Sequence, residues 1–387
     1  MIITKTCLLF VKKVFITFLI IFSFAKLGCS QQTLSGSIKH DGLDRTYITY
    51  IPASYSGNEP VPLLFNFHGY TSNASEQMFY GDFRGIADTA GFLIIHPQGT
   101  LDDNNQPFWN AHWGAASVDD IGFVAALIDT ILTEYNIDTN RIYSAGMSNG
   151  GFMGYSLACD LSDKFAAIAS VTGTMTYSHL TQCNPTNPVP VMQIHGTADL
   201  VVPYAGNLAS GMTPIDDVIT YWVKHNNTDT ISIFNEVPNS SITDLCTAEK
   251  YEYSNGDQDS DVILYKIING GHTWPGSAFS TGVTNQDIDA SLEIWKFFST
   301  HTRNKMISSS GTSVLDNLVK TYPNPSSGFV KIDNGHLINI TDLSGKKIRF
   351  SYINSNTINL NYWNKGVYFL EIINQNNISE IHKLIIK

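Results

Sequence analysis

Three short, nearly unbroken apolar runs stand out along the chain: residues 63–68 (LLFNFH), 92–96 (FLIIH) and 189–196 (VPVMQIHG). Runs of that length predict strands buried on both faces of a sheet. Residues 166–173 and 262–268 read the same way, and so does the segment from Arg141 to Gly146. Helical spacing fills the gaps. Residues 77–90, 119–135, 215–224 and 287–298 carry apolar positions three and four apart; in the second, Ile121, Val124, Ala125, Ile128, Ile131 and Leu132 share one face. Residues 36–52 differ, reading as a hairpin around Asp41-Gly42, and residues 101–114 have no period and read as a loop. Alternating strand and helix predicts a mostly parallel sheet with right-handed crossovers and helices on both faces.

The pattern changes near the C-terminus. Residues 305–316 (KMISSSGTSVLD) form a Ser/Gly-rich linker, and from residue 321 short alternating strands are punctuated by Asn-Pro, Ser-Gly and Asn-Lys-Gly turns. The expected organisation is a signal segment over 1–30, a catalytic α/β unit over 31–303, a linker over 304–318 and a small all-β, sandwich-like unit over 319–387. The first segment rests on Lys5, Lys12 and Lys13 ahead of the apolar run 14–25, too short to span a bilayer comfortably, followed by small residues near Ser30. Leu27-Gly28-Cys29 also offers a lipid-anchor reading, although Lys26 departs from the aliphatic residue usual there. Either way the chain is expected outside the cell, released or held at its surface.

Charge and cysteines narrow the picture. The chain has 23 basic and 34 acidic residues, and residues 31–318 alone hold 11 against 30. So acidic a body makes nucleic acid an improbable partner. Beyond the signal lie Cys159, Cys183 and Cys246, an odd number that predicts one bridge and one free thiol in an oxidising compartment. The favoured bridge is Cys159 to Cys183. No zinc-like His/Cys spacing occurs, so no metal or cofactor is expected.

The chemistry centres on Gly146-Met147-Ser148-Asn149-Gly150, between a strand and an apolar helix. A strand that becomes a helix within two residues needs glycines two positions either side of the serine, and presents that serine at the tip of the sheet. A serine hydroxyl needs a base to remove its proton. Ligands of open α/β sheets sit beyond the carboxyl ends of strands, where Asp199 and His272 follow the runs 189–196 and 262–268. Ser148 as nucleophile, His272 as base and Asp199 as the acid orienting it occur in the chain order of α/β-hydrolases. The backbone N–H groups of Asn149 and Tyr70 are the expected oxyanion donors. Trp109, Trp113 and Trp274 are candidate cleft walls. His68 and His195 are expected to hold their loops, and Asp119 or Asp120 is a rival acid that also suits a helix cap. Asp257, Asp259 and Asp261 read as a solvated turn.

Together HGY, GMSNGG, HGTADLVVPY and GGHTWPG resemble the secreted polyhydroxybutyrate depolymerase and feruloyl esterase group of α/β-hydrolases, over about residues 32–302. The resemblance implies an α/β-hydrolase fold, the triad Ser148, Asp199 and His272, and an ester substrate: an aromatic or acetyl ester of plant polysaccharide, or a polyester. Tyr70 departs from relatives that carry a cysteine after the His-Gly pair. The tail motifs YPNPSSGFVKID, DLSGKKI and NKGVYFLEI resemble the C-terminal sorting domain of type IX secretion, which implies that secretion machinery as a partner. A secreted serine peptidase, or a non-catalytic carbohydrate-binding or adhesion protein on the same scaffold, is the alternative.

Overall fold

The computed structural model describes residues 30–113, 117–279, 282–303, 319–333, 335–354, 356–374 and 379–387. The whole of the expected linker and all of the expected signal segment except Ser30 lie outside the described residues. The chain divides into two compact units, one ending at Lys305 and the other starting at Met306.

The first unit is built on a ten-stranded sheet in the order β1-β2-β4-β3-β7-β8-β9-β12-β11-β10. Its six central strands are parallel: β4 (Leu93–Pro97), β3 (Val61–Phe67), β7 (Ile137–Met147), β8 (Ala167–Val171), β9 (Val191–Gly196) and β12 (Val262–Ile268). β4, β8 and β9 are buried at every position, as continuous apolar runs demand. Antiparallel strands close both edges. On one side the hairpin β1 (Gln32–His40) and β2 (Leu43–Ile51) turns through Asp41 and Gly42, both at positive φ; on the other lie β11 (Thr247–Tyr253) and β10 (Ile233–Glu236). A two-residue pair, β5 (Thr100–Leu101) and β6 (Pro107–Phe108), sits within the stretch read as a loop.

The predicted helix over 77–90 is two helices, α1 (Ala74–Tyr80) and α2 (Arg84–Ala90). The break falls at Gly81, whose carbonyl accepts a 2.8 Å bond from Asn66 Nδ2 on β3. α3 (Asp120–Glu134) packs its apolar face on the side of the sheet that also carries α4 (Asn149–Asp160), a short α5 (Tyr177–Gln182) and α6 (Ile215–His225). α2 and α7 (Ala290–Ser299) cover the other face. Cys159 at the end of α4 is bonded to Cys183 just past α5, and Cys246 is free and buried.

The second unit has a four-stranded sheet in the order β13 (Lys320–Tyr322), β14 (Phe329–Asp333), β17 (Thr357–Asn359) and β16 (Tyr352–Asn354), and a three-stranded sheet in the order β15 (Gly335–Asp342), β18 (Gly366–Asn374) and β19 (Ser379–Ile386), all antiparallel. Val330, Ile332, Ile340, Ile358, Leu370, Ile372 and Leu384 form its core.

Candidate active site

β7 runs into α4 through Ser148, held at φ 54° and ψ −121°. Sterics explain why this pentapeptide bends there. A Cβ on Gly146 would lie 2.4 Å from the Gly150 carbonyl oxygen, and one on Gly150 would lie 2.3 Å from the Phe67 oxygen. No side chain fits at either position. The Ser148 N–H donates to the Val171 oxygen at 2.8 Å, fixing the turn between the central strands and leaving the hydroxyl in an open cleft of about 600 Å³.

Two further strand ends supply the partners. After β9, Asp199 is buried, and its Oδ1 accepts from the Val201 and Val202 N–H groups at 2.8 and 2.9 Å. After β12, His272 donates from Nδ1 to Asp199 Oδ2 at 2.7 Å. The two loops are bound to each other: Ala198 N–H donates to the Gly270 oxygen at 2.9 Å, and Asn269 N–H to Thr197 Oγ1 at 2.8 Å. With Nδ1 committed as donor to a carboxylate, His272 presents Nε2 as a proton acceptor. Asp199 takes three donors in all, which fixes the direction of its carboxylate.

Tyr70 and Asn149 line the same cleft as Ser148. Among the described residues neither backbone N–H makes a hydrogen bond, so both stay available to a developing negative charge beside the serine. Gly69 allows the close approach: a Cβ there would be 3.3 Å from that of Ser148. The Tyr70 hydroxyl donates to Asp102 Oδ2 at 2.8 Å, tying the rim together.

Trp109 and Trp113 line the cleft. Trp274 does not, a correction to the expectation from sequence. It is 1% exposed, meets Phe83 edge-on and donates from Nε1 to Ser291. The absent side chain of Gly81 makes room for its six-membered ring, where a Cβ would lie 3.0 Å from two ring carbons. His68 bridges loops: Nδ1–H donates to the Gly69 oxygen at 2.8 Å and Nε2 accepts the Gly99 N–H at 3.0 Å, while burial lowers its pKa to about 4. Asp119 caps α3 by accepting from Gly122 N–H, and Asp120 is buried against Arg45 and the Asn110 N–H. Neither touches His272. Asp257 to Asp259 form a single 3-10 turn.

One contribution missed from sequence is the Asn149 side chain. Its amide pairs with both backbone groups of Trp109, accepting from N–H at 2.6 Å and donating to the oxygen at 3.0 Å, so the residue after the nucleophile also seats a cleft wall. Asparagine between serine and glycine was the available signal. His112, Asp160 and His179 also gather, with His112 Nε2 2.8 Å from Asp160. Their two imidazoles stack 18° from parallel with centroids 4.1 Å apart, so the in-plane lone pairs run side by side and do not converge on one ion.

Residues 45–205 match the family described as esterase PHB depolymerase, and residues 320–387 the secretion system C-terminal sorting domain. Over 173 residues the chain is 29% identical to the bifunctional acetylxylan esterase/xylanase XynS20E of Neocallimastix patriciarum, covering 45% of this chain and 24% of that one. It is 28% identical to feruloyl esterase D of Neurospora crassa over 275 residues, covering 69% of this chain and 85% of that protein. The chain thus spans about a quarter of the first relative's length and most of the second's. The solved acetyl xylan esterase from Aspergillus awamori shares the fold at a TM-score of 0.50 and 13% identity, over 69% of this chain and 99% of that one. Residues 45–205 thus resemble the esterase PHB depolymerase family, the longer alignment extends that likeness to a feruloyl esterase, and residues 320–387 resemble the secretion system C-terminal sorting domain.

Proposed function

We propose that the protein is a secreted serine carboxylic-ester hydrolase working through an acyl-enzyme, with Ser148, Asp199 and His272 as its triad. The observation that carries this reading is the 2.7 Å bond from His272 Nδ1 to a buried Asp199, set at strand ends of the sheet whose elbow holds Ser148. Ser148 Oγ attacks the ester carbonyl as its proton passes to His272 Nε2. The carbonyl oxygen, now anionic, takes the N–H groups of Tyr70 and Asn149. Collapse expels the alcohol, which leaves with the proton from His272. Water, deprotonated by the same imidazole, then releases the carboxylic acid and restores the serine.

The substrate proposed is an aromatic or acetyl ester of plant polysaccharide, with a polyester as the second member of the class. Phe108, Trp109 and Trp113 in the cleft wall suit a flat acyl group. Relatives named for acetylxylan and feruloyl esters support the same class. The C-terminal unit would engage the type IX secretion machinery.

The test is turnover of p-nitrophenyl acetate, methyl ferulate, a hydroxybutyrate oligomer and a peptide anilide by the wild type and by Ser148→Ala. The expected loss in the variant is on the order of 10⁶-fold. Hydrolysis of the anilide alone would overturn the ester assignment. Because only a neutral imidazole can take the serine proton, kcat/KM should fall on acidification, and a flat profile between about pH 5 and 8 removes His272 as base.

A further inference from the structure

β9 carries two polar side chains in its interior, Gln193 and His195, both with no exposed surface. Two residues apart, they lie on one face of the sheet. Tyr155 of α4, equally buried, donates from its hydroxyl to Gln193 Oε1 at 2.6 Å. Gln193 Nε2 lies 2.9 Å from the Gly173 oxygen and 2.9 Å from His195 Nδ1.

One acceptor determines every proton in this chain of groups. A backbone carbonyl cannot donate, so the nitrogen of the Gln193 amide must face Gly173. The same nitrogen then points an N–H at His195 Nδ1, which has to be an acceptor. His195 is therefore neutral, with its proton on Nε2, and that N–H donates to the Val202 oxygen at 2.8 Å. Burial acts in the same direction by lowering the imidazole's pKa. The titratable groups facing it are Asp199, whose Oδ2 is 3.5 Å from Nε2, His272 and the Tyr204 ring.

We infer that Gln193 and His195 are positioning residues for the acid of the triad, an inference that rests on the proposed roles of Asp199 and His272. The loop after β9 is gripped from two sides. His195 holds the Val202 carbonyl, while the N–H groups of Val201 and Val202 hold Asp199 Oδ1, so Oδ2 is left aimed at His272. Tyr155 stands on the helix that Ser148 starts, and Gly173 abuts Gly151 of that helix, where a Cβ on Gly173 would come 2.8 Å from the Gly151 Cα. The polar chain thus refers the position of the acid to the helix of the nucleophile. An imidazolium at 195 would set N–H against N–H at Gln193, and the other neutral tautomer would do the same and also let go of Val202.

The experiment compares full-length wild type with His195→Phe, His195→Gln and Gln193→Met for kcat, KM, thermal midpoint and the pH profile of kcat/KM. Phenylalanine fills the space without a donor, glutamine returns an N–H near the position of Nε2, and methionine frees the tautomer of His195. His195→Phe should lower kcat about 10²-fold with KM little changed, since a misaimed acid acts on the transition state. Its acid limb should move to lower pH, because a carboxylate turned away stabilises imidazolium less. His195→Gln should recover most of the rate and the limb. Gln193→Met should shift both in the direction of His195→Phe, and it carries the test if that variant does not fold. Variants that lose thermal stability but keep the wild-type kcat and pH limb would overturn the inference and leave an ordinary core histidine. Ester turnover surviving Ser148→Ala would instead sink the proposed triad itself.

Discussion

The two units bury different chemistry. In the C-terminal unit the described core is Val330, Ile332, Ile358, Leu370 and their neighbours, and no carboxylate, imidazole or cation is among its described buried residues. The hydrolase unit encloses Arg45, His68, His96, Asp120, His179, His195 and Asp199. Burying such groups costs free energy unless each finds a partner. The cost is met unevenly: Asp199 accepts from three donors, whereas neither ring nitrogen of His96 nor Nε2 of His179 has a hydrogen-bond partner among the described residues. A fold that only needs to persist can use the tail's solution. One that must hold a carboxylate against an imidazole accepts weak points elsewhere in its interior.

The largest effect expected from breaking this contrast is at Asp199. Asp199→Asn keeps the shape but removes the charge and favours the wrong tautomer of His272, so kcat should fall about 10⁴-fold. Thermal midpoints of both units should barely move. A loss under tenfold in ester turnover would mean that another group orients His272.

Acid should separate the units next. Burial lowers the pKa of His68 and His179 to about 4 and of His96 to about 3, against an ordinary 6.5. Above pH 6.5 folded and unfolded chains are alike in carrying these rings neutral. Between 6.5 and 4 the unfolded chain binds the protons and the folded one does not, so stability is lost as pH falls through that window. Each ring contributes on the order of 3 kcal/mol at full effect. In the tail, Asp333 and Asp342 are held below the usual carboxylate range by the Tyr322 and Ser344 hydroxyls respectively, so its stability should hold until lower pH. Calorimetry at pH 7 and pH 4.5 checks this, and equal shifts of both transitions would contradict it.

Much of this was legible because burial on both faces writes itself as continuous apolar sequence. β3, β4, β9 and β12 follow their runs closely, and the elbow glycines announce the turn that their missing side chains permit. β10 and β11 were not legible. β10 is a four-residue edge strand exposed at every position, and its neighbour β11 is rich in Glu, Lys and Tyr with only Ala248 buried, so neither shows a continuous apolar run. The break between α1 and α2 and the misplacement of Trp274 share one cause, since Gly81 ends the first helix where the indole packs. Contacts between residues 15 and 193 apart in sequence leave no local pattern. Gln193 and His195 were visible as polar letters in an apolar strand, yet only the geometry supplies the chain of donors that joins them.

The disulfide offers a smaller and more local lever. Cys159 and Cys183 are 24 residues apart and join the end of α4 to the segment after α5. Replacing both by serine should cost the hydrolase unit about 3 kcal/mol, chiefly by releasing the unfolded chain. Because the bridge lies at the far end of α4 from Ser148, turnover at 25 °C should stay within about twofold, whereas the midpoint of the first transition should fall. A drop in kcat of tenfold or more would show that the bridge also supports the cleft.

The smallest effect on catalysis should come from the tail, and its absence is informative. Leu370 is fully buried in β18, within a core whose apolar residues belong to the C-terminal unit itself. Leu370→Ala removes about three methylene-sized groups there and should destabilise that unit by about 2–5 kcal/mol. Each unit has its own apolar core, so the ester turnover of purified full-length protein should be unchanged. Secretion from a host with the type IX machinery should fall, because a sorting domain that is partly unfolded presents its recognition surface for less of the time. Intact secretion with a melted tail would indicate that linear sequence is read, and lost turnover would indicate that the apolar unit takes part in the chemistry of the polar one.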